Sequence, residues 1–337
     1  MLKIHQRRYL GNKFKILPFI GEIVQNEIGN FAEFCDIFAG SGVVGEYFNK
    51  PDNKIISNDL LYHNFVNLNT FLGIEKFDES KILEILKKLN VLKSKKDNYF
   101  SSNFGNFYFS LENAVKIGLI REEIENLYKA KKINEQEKFI LITSLIYAID
   151  KIANTVGHYD AYIKKEIKER KFELLLPQIN RQNNKENEIY KLDANELIKR
   201  ISCEVLYLDP PYNSRQYSDS YHLLENLALW SKPQVFGVAK KFDRSKIKSG
   251  YSGVNATKLF ADLVQNAKCK FILFSYNNMA NKGNHRSNAK ISDEDIVRIL
   301  GARGKVKIFE QKHREFNVGN TRRDNNFERV FFVKVDK

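Results

Sequence analysis

The residues best suited to chemistry in this 337-residue sequence form the segment Asp209-Pro210-Pro211-Tyr212. It follows the apolar run 205–208, and its two prolines fix φ and remove backbone donors, which holds the carboxylate at the end of a predicted strand. An aromatic amine is a poor nucleophile because its lone pair is delocalised into the ring. If the Asp209 carboxylate and the Pro210 carbonyl accept hydrogen bonds from such an amine, and Tyr212 stacks on its ring, the charge developing on nitrogen is stabilised in place. The segment therefore indicates chemistry at an exocyclic amine; a proline-stiffened turn without chemistry is the plainer alternative.

A glycine-rich turn at residues 40–45 is the second candidate, because it follows the apolar run 34–38 and has the spacing GxGxxG. Such glycines allow a tight turn and close approach of a cofactor, and Asp59, after the next predicted strand, can hold a pair of ribose hydroxyls. Asp36 stands at the end of the first strand, where a carboxylate suits an ammonium group better than a pyrophosphate. The pattern alone leaves a nicotinamide-dependent dehydrogenase open, and a turn that needs glycine only for its shape is a further alternative.

Composition limits the class of protein. The 55 Lys and Arg exceed the 41 Asp and Glu by 14, and such a surplus favours a polyanion as partner. The longest apolar run, residues 139–149, is well below the ~20 residues that a membrane span needs, and no apolar stretch follows the basic N-terminal residues as in a signal peptide. The three widely spaced cysteines and six histidines form no disulfide or metal-binding pattern. We therefore expect a reduced, cytoplasmic protein with no metal and no membrane contact.

Alternating strands and helices must position these residues. Apolar runs predict strands near 34–38, 54–57, 205–208, 271–274, 306–310 and 329–335. Helical spacing follows near 221–230 and 256–267, and after a capping-box sequence at Ser292. This order predicts an α/β fold with a Rossmann-like, doubly wound sheet. Residues 75–189 carry helical patterns at 77–92, 111–131 and 135–152 and are too long for a loop. We therefore divide the chain into a sheet domain, residues 1–74 and 190–337, and a helical insert, residues 75–189.

In this order the motifs resemble those of the alpha-group adenine-N6 DNA methyltransferases, the family of the DNA adenine methylases and of restriction–modification methylases. The segments that carry the resemblance are residues 8–13, 36–45, 58–59, 154–162, 193–194, 209–213, 215–217, 221–225 and 271–277. The order of cofactor motif, insert and catalytic motif is the alpha arrangement, which implies that the insert is the target recognition domain.

The resemblance implies transfer of a methyl group from S-adenosylmethionine to N6 of an adenine flipped out of a short duplex site. It implies catalytic roles for Asp209, Pro210 and Tyr212. The residues that it implies for the cofactor site are Tyr9, Lys13, Asp36, Phe38, Gly40, Gly42, Asp59, Asp193 and Asp209. Family analogy links Ser at the first tetrad position to cytosine-N4 enzymes and Asn to protein-glutamine or ribosomal RNA enzymes, whereas this sequence has Asp.

Residues expected to face double-stranded DNA lie in four places. They are Arg8 near the N-terminus, Asn154, His158, Tyr159 and Lys164 in the insert, Arg215, Gln216 and Tyr217 past the catalytic motif, and Lys240, Lys241, Arg244 and Lys246 in a loop. Phosphate contacts give affinity without sequence information, so the insert residues are the candidates for base edges, although Tyr159 has a core position as its alternative. Residues 215–217 are the candidates to hold the gap that a flipped base leaves. A further basic stretch lies at residues 312–323.

Three other activities stay open at this point. The nearest are methylation of RNA or of cytosine N4, and a different class is a non-catalytic DNA-binding protein that keeps the methyltransferase fold. The resemblance implies a restriction–modification system, in which a cognate restriction endonuclease acts separately. The insert's resemblance further implies a four-base palindrome such as CATG. The oligomeric state is not legible from the sequence.

Overall fold

The computed structural model describes residues 1–167, 170–277, 289–312 and 327–336, with one seven-stranded sheet at the centre. The strands are β1 (Glu33–Asp36), β2 (Lys54–Asn58), β3 (Glu188–Tyr190), β4 (Val205–Leu208), β5 (Phe271–Ser275), β6 (Val306–Lys312) and β7 (Phe327–Lys334). Their order across the sheet is β3-β2-β1-β4-β5-β7-β6. The first five strands pair in parallel, and β7 runs antiparallel to both of its neighbours. The prediction of an α/β, doubly wound sheet is confirmed.

Helices cover this sheet. The α-helices within the described residues are α1 (Leu17–Glu27), α2 (Val43–Phe48), α3 (Tyr62–Leu72), α4 (Glu79–Val91), α5 (Tyr99–Phe104), α6 (Leu111–Lys129), α7 (Glu135–Ile152), α8 (Ala194–Ile198), α9 (Tyr217–Ser220), α10 (His222–Leu229), α11 (Ala256–Asn266) and α12 (Asp293–Gly301). Short 3₁₀ turns lie at Ile4–Gln6, Lys13–Ile16, Ser245–Ile247 and Gly250–Ser252.

The strand order explains where a site can form. The chain runs from β1 outward through β2 to β3 on one side, and from β4 to β5 on the other. Neighbouring connections therefore leave the carboxyl ends of β1 and β4 in opposite directions, and a crevice opens between them. β4 is buried along its whole length, as strands covered on both faces are. The glycine-rich turn follows β1 and Asp209 follows β4, so the two predicted motifs meet at this crevice.

Helices α4 to α7 lie between β2 and β3 in the chain, and local sequence sets their starts. Asp78, Asn98, Ser110 and Asn134 each accept a hydrogen bond from a backbone N–H in the first turn of the helix that follows, which satisfies donors that the helix leaves open. Helix α7 is almost entirely buried and packs against α3 and α6. Its apolar residues belong to the same buried cluster as those on one face of the sheet.

The apolar stretch within α7 is thus accounted for by packing inside the protein. Among the described residues, none of the helices combines the length and apolar character that crossing a bilayer demands.

Candidate active site

A cavity of about 900 Å³, partly open to solvent, lies at the crevice between β1 and β4. Its wall combines the N-terminal segment, the turn after β1, the end of β2, the start of α8, the end of β4 and the segment 247–251. All the residues predicted for the cofactor site line it except Gly42. The structure therefore brings together residues that are up to 200 positions apart in the sequence, Tyr9 and Asp209 among them.

The turn after β1 is held from two sides. Gly40 has φ +52°, and a Cβ there would lie 2.8 Å from the ring of Tyr9, so the turn needs glycine for both its conformation and its close contact. The carboxylate of Asp59 accepts hydrogen bonds from the backbone N–H of Gly40 (3.0 Å) and of Leu61 (2.8 Å). Burial raises the pKa of Asp59 to about 6, although these N–H groups oppose the rise. The side chain of Asn64 also donates a hydrogen bond to this carboxylate and opposes the rise in its pKa.

Gly42 has a different role from the one expected. It is the N-cap of α2 with φ +82°, and a Cβ there would lie 2.7 Å from the side chain of Leu68. Gly42 is therefore required for packing of the turn on α3, and it is not part of the cavity wall.

Asp36 places an unusual carboxylate in the cavity wall. Only 1% of the residue is exposed, and within the described part of the chain its Oδ1 has no hydrogen-bond partner. Burial, followed by the charges of Asp209 and Asp59, raises its pKa well above the ordinary value. A buried carboxylate oxygen without a hydrogen-bond partner destabilises the protein unless a bound group donates a hydrogen bond to it. A cationic group in the cavity would do so, as the strand-end position of Asp36 predicts.

Asp209 is paired with a lysine from the N-terminal segment. Its Oδ1 lies 3.1 Å from Nζ of Lys13, and Nζ also lies 3.8 Å from a carboxylate oxygen of Glu328 on β7. Burial raises the pKa of Asp209 to about 6, and Lys13 opposes the rise. Burial also disfavours the charge on Lys13, but Asp209 and Glu328 outweigh it and raise the pKa of Lys13. Asp209 is therefore a charged acceptor at neutral pH, with a side chain only 19% exposed.

The rest of the tetrad is held from the neighbouring strand. Pro210 is buried and Tyr212 is half-buried. The backbone carbonyl of Tyr212 accepts hydrogen bonds from Oη of Tyr276 (3.2 Å) and from the N–H of Lys290 (2.8 Å). The rings of Tyr212 and Tyr276 meet edge to face with centroids 6.3 Å apart. Tyr276, directly after β5, thus fixes the tip that carries Asp209.

Tyr251 belongs to the cavity wall although no sequence motif marked it as a site residue. Only 3% of it is exposed, its ring packs edge to face on Phe38 at 5.0 Å, and its Oη donates to Oδ1 of Asn195 at 2.8 Å. With Ile247 and Ser249 it forms a wall of the cavity. An aromatic residue between glycines in a basic loop was the available signal.

The basic loop residues are not equally free to contact phosphate. Nζ of Lys241 lies 2.8 Å from Oδ1 of Asp160, and Nε of Arg244 lies 2.7 Å from Oδ1 of Asp219. Lys240 Nζ lies 5.6 Å from the ring centroid of Phe107. Lys241 and Arg244 therefore have part of their charge neutralised by acidic partners, which no pattern in the sequence indicated.

Lys246 is exposed, whereas Lys240, Lys241 and Arg244 are half-buried. Arg8, Lys164 and Arg215 are exposed as well. The four exposed side chains are presented to solvent as expected. Residues 313–323 of the last basic stretch lie outside the described residues.

Two of the insert residues are turned toward the protein. Tyr159 is 2% exposed and its Oη donates to Asp150 at 2.7 Å, so its core alternative describes its position, and it does not present a base-reading edge. The Asn154 amide donates to the carbonyls of Phe107 (3.1 Å) and Ile163 (2.8 Å). Both of its N–H groups are therefore used to shape the loop.

His158, Gln216 and Tyr217 are neither fully buried nor fully exposed. His158 is half-buried, and burial lowers its pKa, which favours a neutral ring at pH 7. Tyr217 Oη donates to the carbonyl of Leu10 at 3.2 Å. Gln216 bonds to the backbone of Ser249. Tyr217 and Gln216 both line the cavity, although the sequence suggested a role in the gap of a flipped base for them and none in the cofactor site.

The sequence is similar to that of known proteins over most of its length. Residues 9–281 match the sequence model of a family described as D12 class N6 adenine-specific DNA methyltransferase. The chain is 33% identical to the modification methylase StsI of Streptococcus sanguinis over 97% of its own length, and 31% identical to the type II methyltransferase M.FokI of Planomicrobium okeanokoites over 98%. It spans about half the length of these two relatives, 52% and 53%.

A third relative has a similar length. The type II methyltransferase M.NlaIII of Neisseria lactamica is 31% identical over 94% of both chains. The family match covers most of the chain and contains the turn after β1, the insert and the tetrad after β4. The chain belongs to the D12 class N6 adenine-specific DNA methyltransferases.

Proposed function

We propose that the protein is a site-specific DNA methyltransferase that transfers a methyl group from S-adenosylmethionine to N6 of an adenine flipped out of a short duplex site. The observation that carries this proposal is the position of Asp209. It stands on the wall of the same cavity as Gly40 and Asp36 and is held as a charged acceptor by Lys13. A hydrogen-bond acceptor for an amine thus adjoins a cavity suited to a cationic cofactor.

The residues of the cavity fit S-adenosylmethionine, which when bound supplies an electrophilic methyl group on its sulfonium sulfur. Asp36 would bind the ammonium group of the methionine part, which explains its unpartnered oxygen. Asp59, which Gly40 and Leu61 fix in the cavity wall, would accept hydrogen bonds from the ribose hydroxyls. Asp193, Phe38 and Tyr251 would border the adenine of the cofactor. A dehydrogenase is not favoured, because a buried carboxylate opposes a pyrophosphate.

The tetrad residues would act on the amine of the target adenine. The Asp209 carboxylate and the Pro210 carbonyl would each accept a hydrogen bond from one N–H of this amine, which directs the nitrogen lone pair toward the methyl group. The C–N bond then forms as the bond from methyl to sulfur breaks, and the extra proton on nitrogen is lost afterwards. Tyr212 stacks on the base, and Lys13 keeps Asp209 ionised and oriented. No strong base is needed, because the developing positive charge is stabilised by acceptors already in place.

We further propose that residues 1–74 and 190–337 form the catalytic domain and that residues 75–189 form the target recognition domain. The exposed Lys164 belongs to this insert, whereas the exposed Arg215 and Lys246 belong to the catalytic domain and would contact the DNA backbone from that side. The relatives named modification methylases support a role in a restriction–modification system. A separate cognate endonuclease is the partner that this role predicts.

The product of the reaction tests the function. Purified protein, labelled S-adenosylmethionine and a DNA duplex that contains CATG are incubated, and the DNA is digested to nucleosides. Label in N6-methyladenine is expected, and sequencing of DNA from expressing cells then maps the modified adenines. Label in N4-methylcytosine, or in RNA alone, would replace the proposal with one of the other methyltransferases. Tight DNA binding without any turnover would favour a non-catalytic protein.

The rate should depend on pH through Asp209. Because burial raises its pKa to about 6, protonation removes the charged acceptor as pH falls through that value, and the single-turnover rate should then fall about tenfold per pH unit. The measurement uses saturating cofactor between about pH 5 and 8, since Asp59 titrates in the same range and affects the KM for cofactor. A rate that stays level below pH 6 would contradict the role of a charged Asp209.

DNA affinity should depend on the exposed lysine of the loop. Lys246→Ala is expected to lower the slope of log affinity against log salt by about 1, uniformly across sequences, because one phosphate contact is lost. Fluorescence anisotropy with duplexes at several salt concentrations measures it. Lys268→Ala is the matched control, because Lys268 is exposed before β5, at the opposite edge of the sheet from the cavity. An equal change in both variants would remove Lys246 from the interface.

A further inference from the structure

The segment 245–252 lines one side of the cavity, and its turn Gly250–Ser252 packs against α11. It consists of two 3₁₀ turns, Ser245–Ile247 and Gly250–Ser252. Among its backbone hydrogen bonds, the N–H of Ile247 bonds to Arg244 O and that of Ser252 bonds to Ser249 O, both within the loop itself. These bonds shape the turns but do not attach them to the rest of the protein. Side chains from elsewhere must therefore fasten the segment.

Gln216 makes a two-point attachment to the middle of this segment. Its Nε2 donates to the carbonyl of Ser249 at 3.0 Å, and its Oε1 accepts from the N–H of Ser249 at 2.9 Å. The side-chain amide thus pairs with both backbone groups of Ser249, as a residue of a neighbouring strand would. Gln216 is half-buried and lines the cavity together with Ser249. An amide that satisfies both groups of one residue is specific in geometry, and neither Ala nor Glu can reproduce it.

Two other side-chain contacts attach the segment on the C-terminal side of Ser249. Oγ of Ser252 donates to the backbone carbonyl of Arg215 at 3.1 Å, and Oη of Tyr251 donates to Asn195 at 2.8 Å. The segment is therefore joined to the chain immediately after the catalytic tetrad. The same stretch carries Arg215, whose side chain is exposed. The exposed Arg215 is thus followed directly in the sequence by Gln216, which is bonded to the cavity wall.

We propose that Gln216 is a positioning residue that fastens segment 245–252 over the methyl-donor cavity, and that residues 215–216 thereby couple DNA contact to retention of the cofactor. This inference rests on the proposed function for the identity of the cofactor. This role differs from filling the gap that a flipped base leaves in the DNA. The amide of Gln216, when bonded to Ser249, has its oxygen and one N–H already occupied. A Gln216 that moves into DNA must release the segment and open the cavity.

The test compares Gln216→Ala with Arg215→Ala in the full-length protein. Isothermal titration calorimetry without DNA should show about tenfold weaker binding of S-adenosylmethionine by Gln216→Ala, equivalent to about 1.4 kcal/mol. The Kd of Arg215→Ala for cofactor should be unchanged, and its DNA affinity should fall. In steady state, the KM of Gln216→Ala for cofactor should rise while kcat at saturation is kept. Gln216→Glu, which keeps only the acceptor for the Ser249 N–H, should not restore cofactor affinity.

A second readout needs neither cofactor nor turnover. Trypsin cleaves after lysine, and the segment contains Lys246 and Lys248. Cleavage there should be several-fold faster in Gln216→Ala than in wild type, at an unchanged thermal midpoint. If Gln216→Ala leaves cofactor affinity and cleavage unchanged but weakens DNA binding, Gln216 acts on DNA and the inference is overturned. If wild-type protein fails to bind S-adenosylmethionine, the proposed function fails, while the cleavage comparison still decides whether Gln216 fastens the segment.

Discussion

Asp209→Ala should lower the rate of methyl transfer by about 10³-fold while cofactor still binds. A large effect is expected because the proposed role places Asp209 where charge develops, and loss of one preorganised group of this kind costs about 10²–10³ in kcat. Cofactor binding should persist, since Asp36 and Asp59 occupy other parts of the cavity wall. Incorporation of labelled methyl under single-turnover conditions measures the rate, and calorimetry measures cofactor affinity.

A second variant separates chemistry from folding. Among the described residues, Asp209→Ala leaves the buried ammonium of Lys13 with Glu328 at 3.8 Å as its remaining carboxylate, so some loss of stability is expected. Asp209→Asn keeps the shape of the side chain and should still lose most activity, because a neutral amide is the weaker acceptor. Asp193→Ala is the contrast: it removes an exposed carboxylate from the same cavity and should raise the KM for cofactor with little effect on kcat. Near-wild-type transfer by Asp209→Asn would mean that the charge of Asp209 is not needed.

The parts of the fold that local sequence determines were predictable. The apolar run 205–208 coincides with β4, and α7 has the predicted bounds, because a capping residue begins it and a buried face continues to its end. The carboxyl ends of parallel strands share one edge of a sheet, so the sequence alone places Gly40 and Asp209 at the same edge.

The contacts that depend on side-chain direction were not predictable. Glu328 meets Lys13 only because β7 inserts between β5 and β6, and no local pattern reports that insertion. The sequence predicted that Lys241 faces DNA, whereas the fold brings Asp160 beside it. Tyr159 sits in a motif next to polar neighbours, yet its hydroxyl finds a buried partner in Asp150. In each case a long-range pairing decides what a chemically suitable residue does.

Asp36→Asn should weaken cofactor binding and stabilise the free protein at the same time. A charge-assisted hydrogen bond to a cationic ligand is worth about 1.5–3 kcal/mol, so the Kd for S-adenosylmethionine should rise about 10- to 100-fold. Without cofactor, the same carboxylate is a cost, because burial and the charges of Asp209 and Asp59 disfavour its ionised form. Asn has the same shape without the charge, and the thermal midpoint should rise by about 2 °C at neutral pH.

The pH dependence of this gain identifies its cause. Because the pKa of Asp36 is raised in the folded protein, the cost of its charge is present above the pKa of the unfolded chain, near 3.9, and disappears once both states are protonated. The difference in thermal midpoint between Asp36→Asn and wild type should therefore be greatest at neutral pH and shrink as pH falls toward about 4. A stability gain that is equal at both pH values would come from packing, and unchanged cofactor affinity would move the ammonium site away from Asp36.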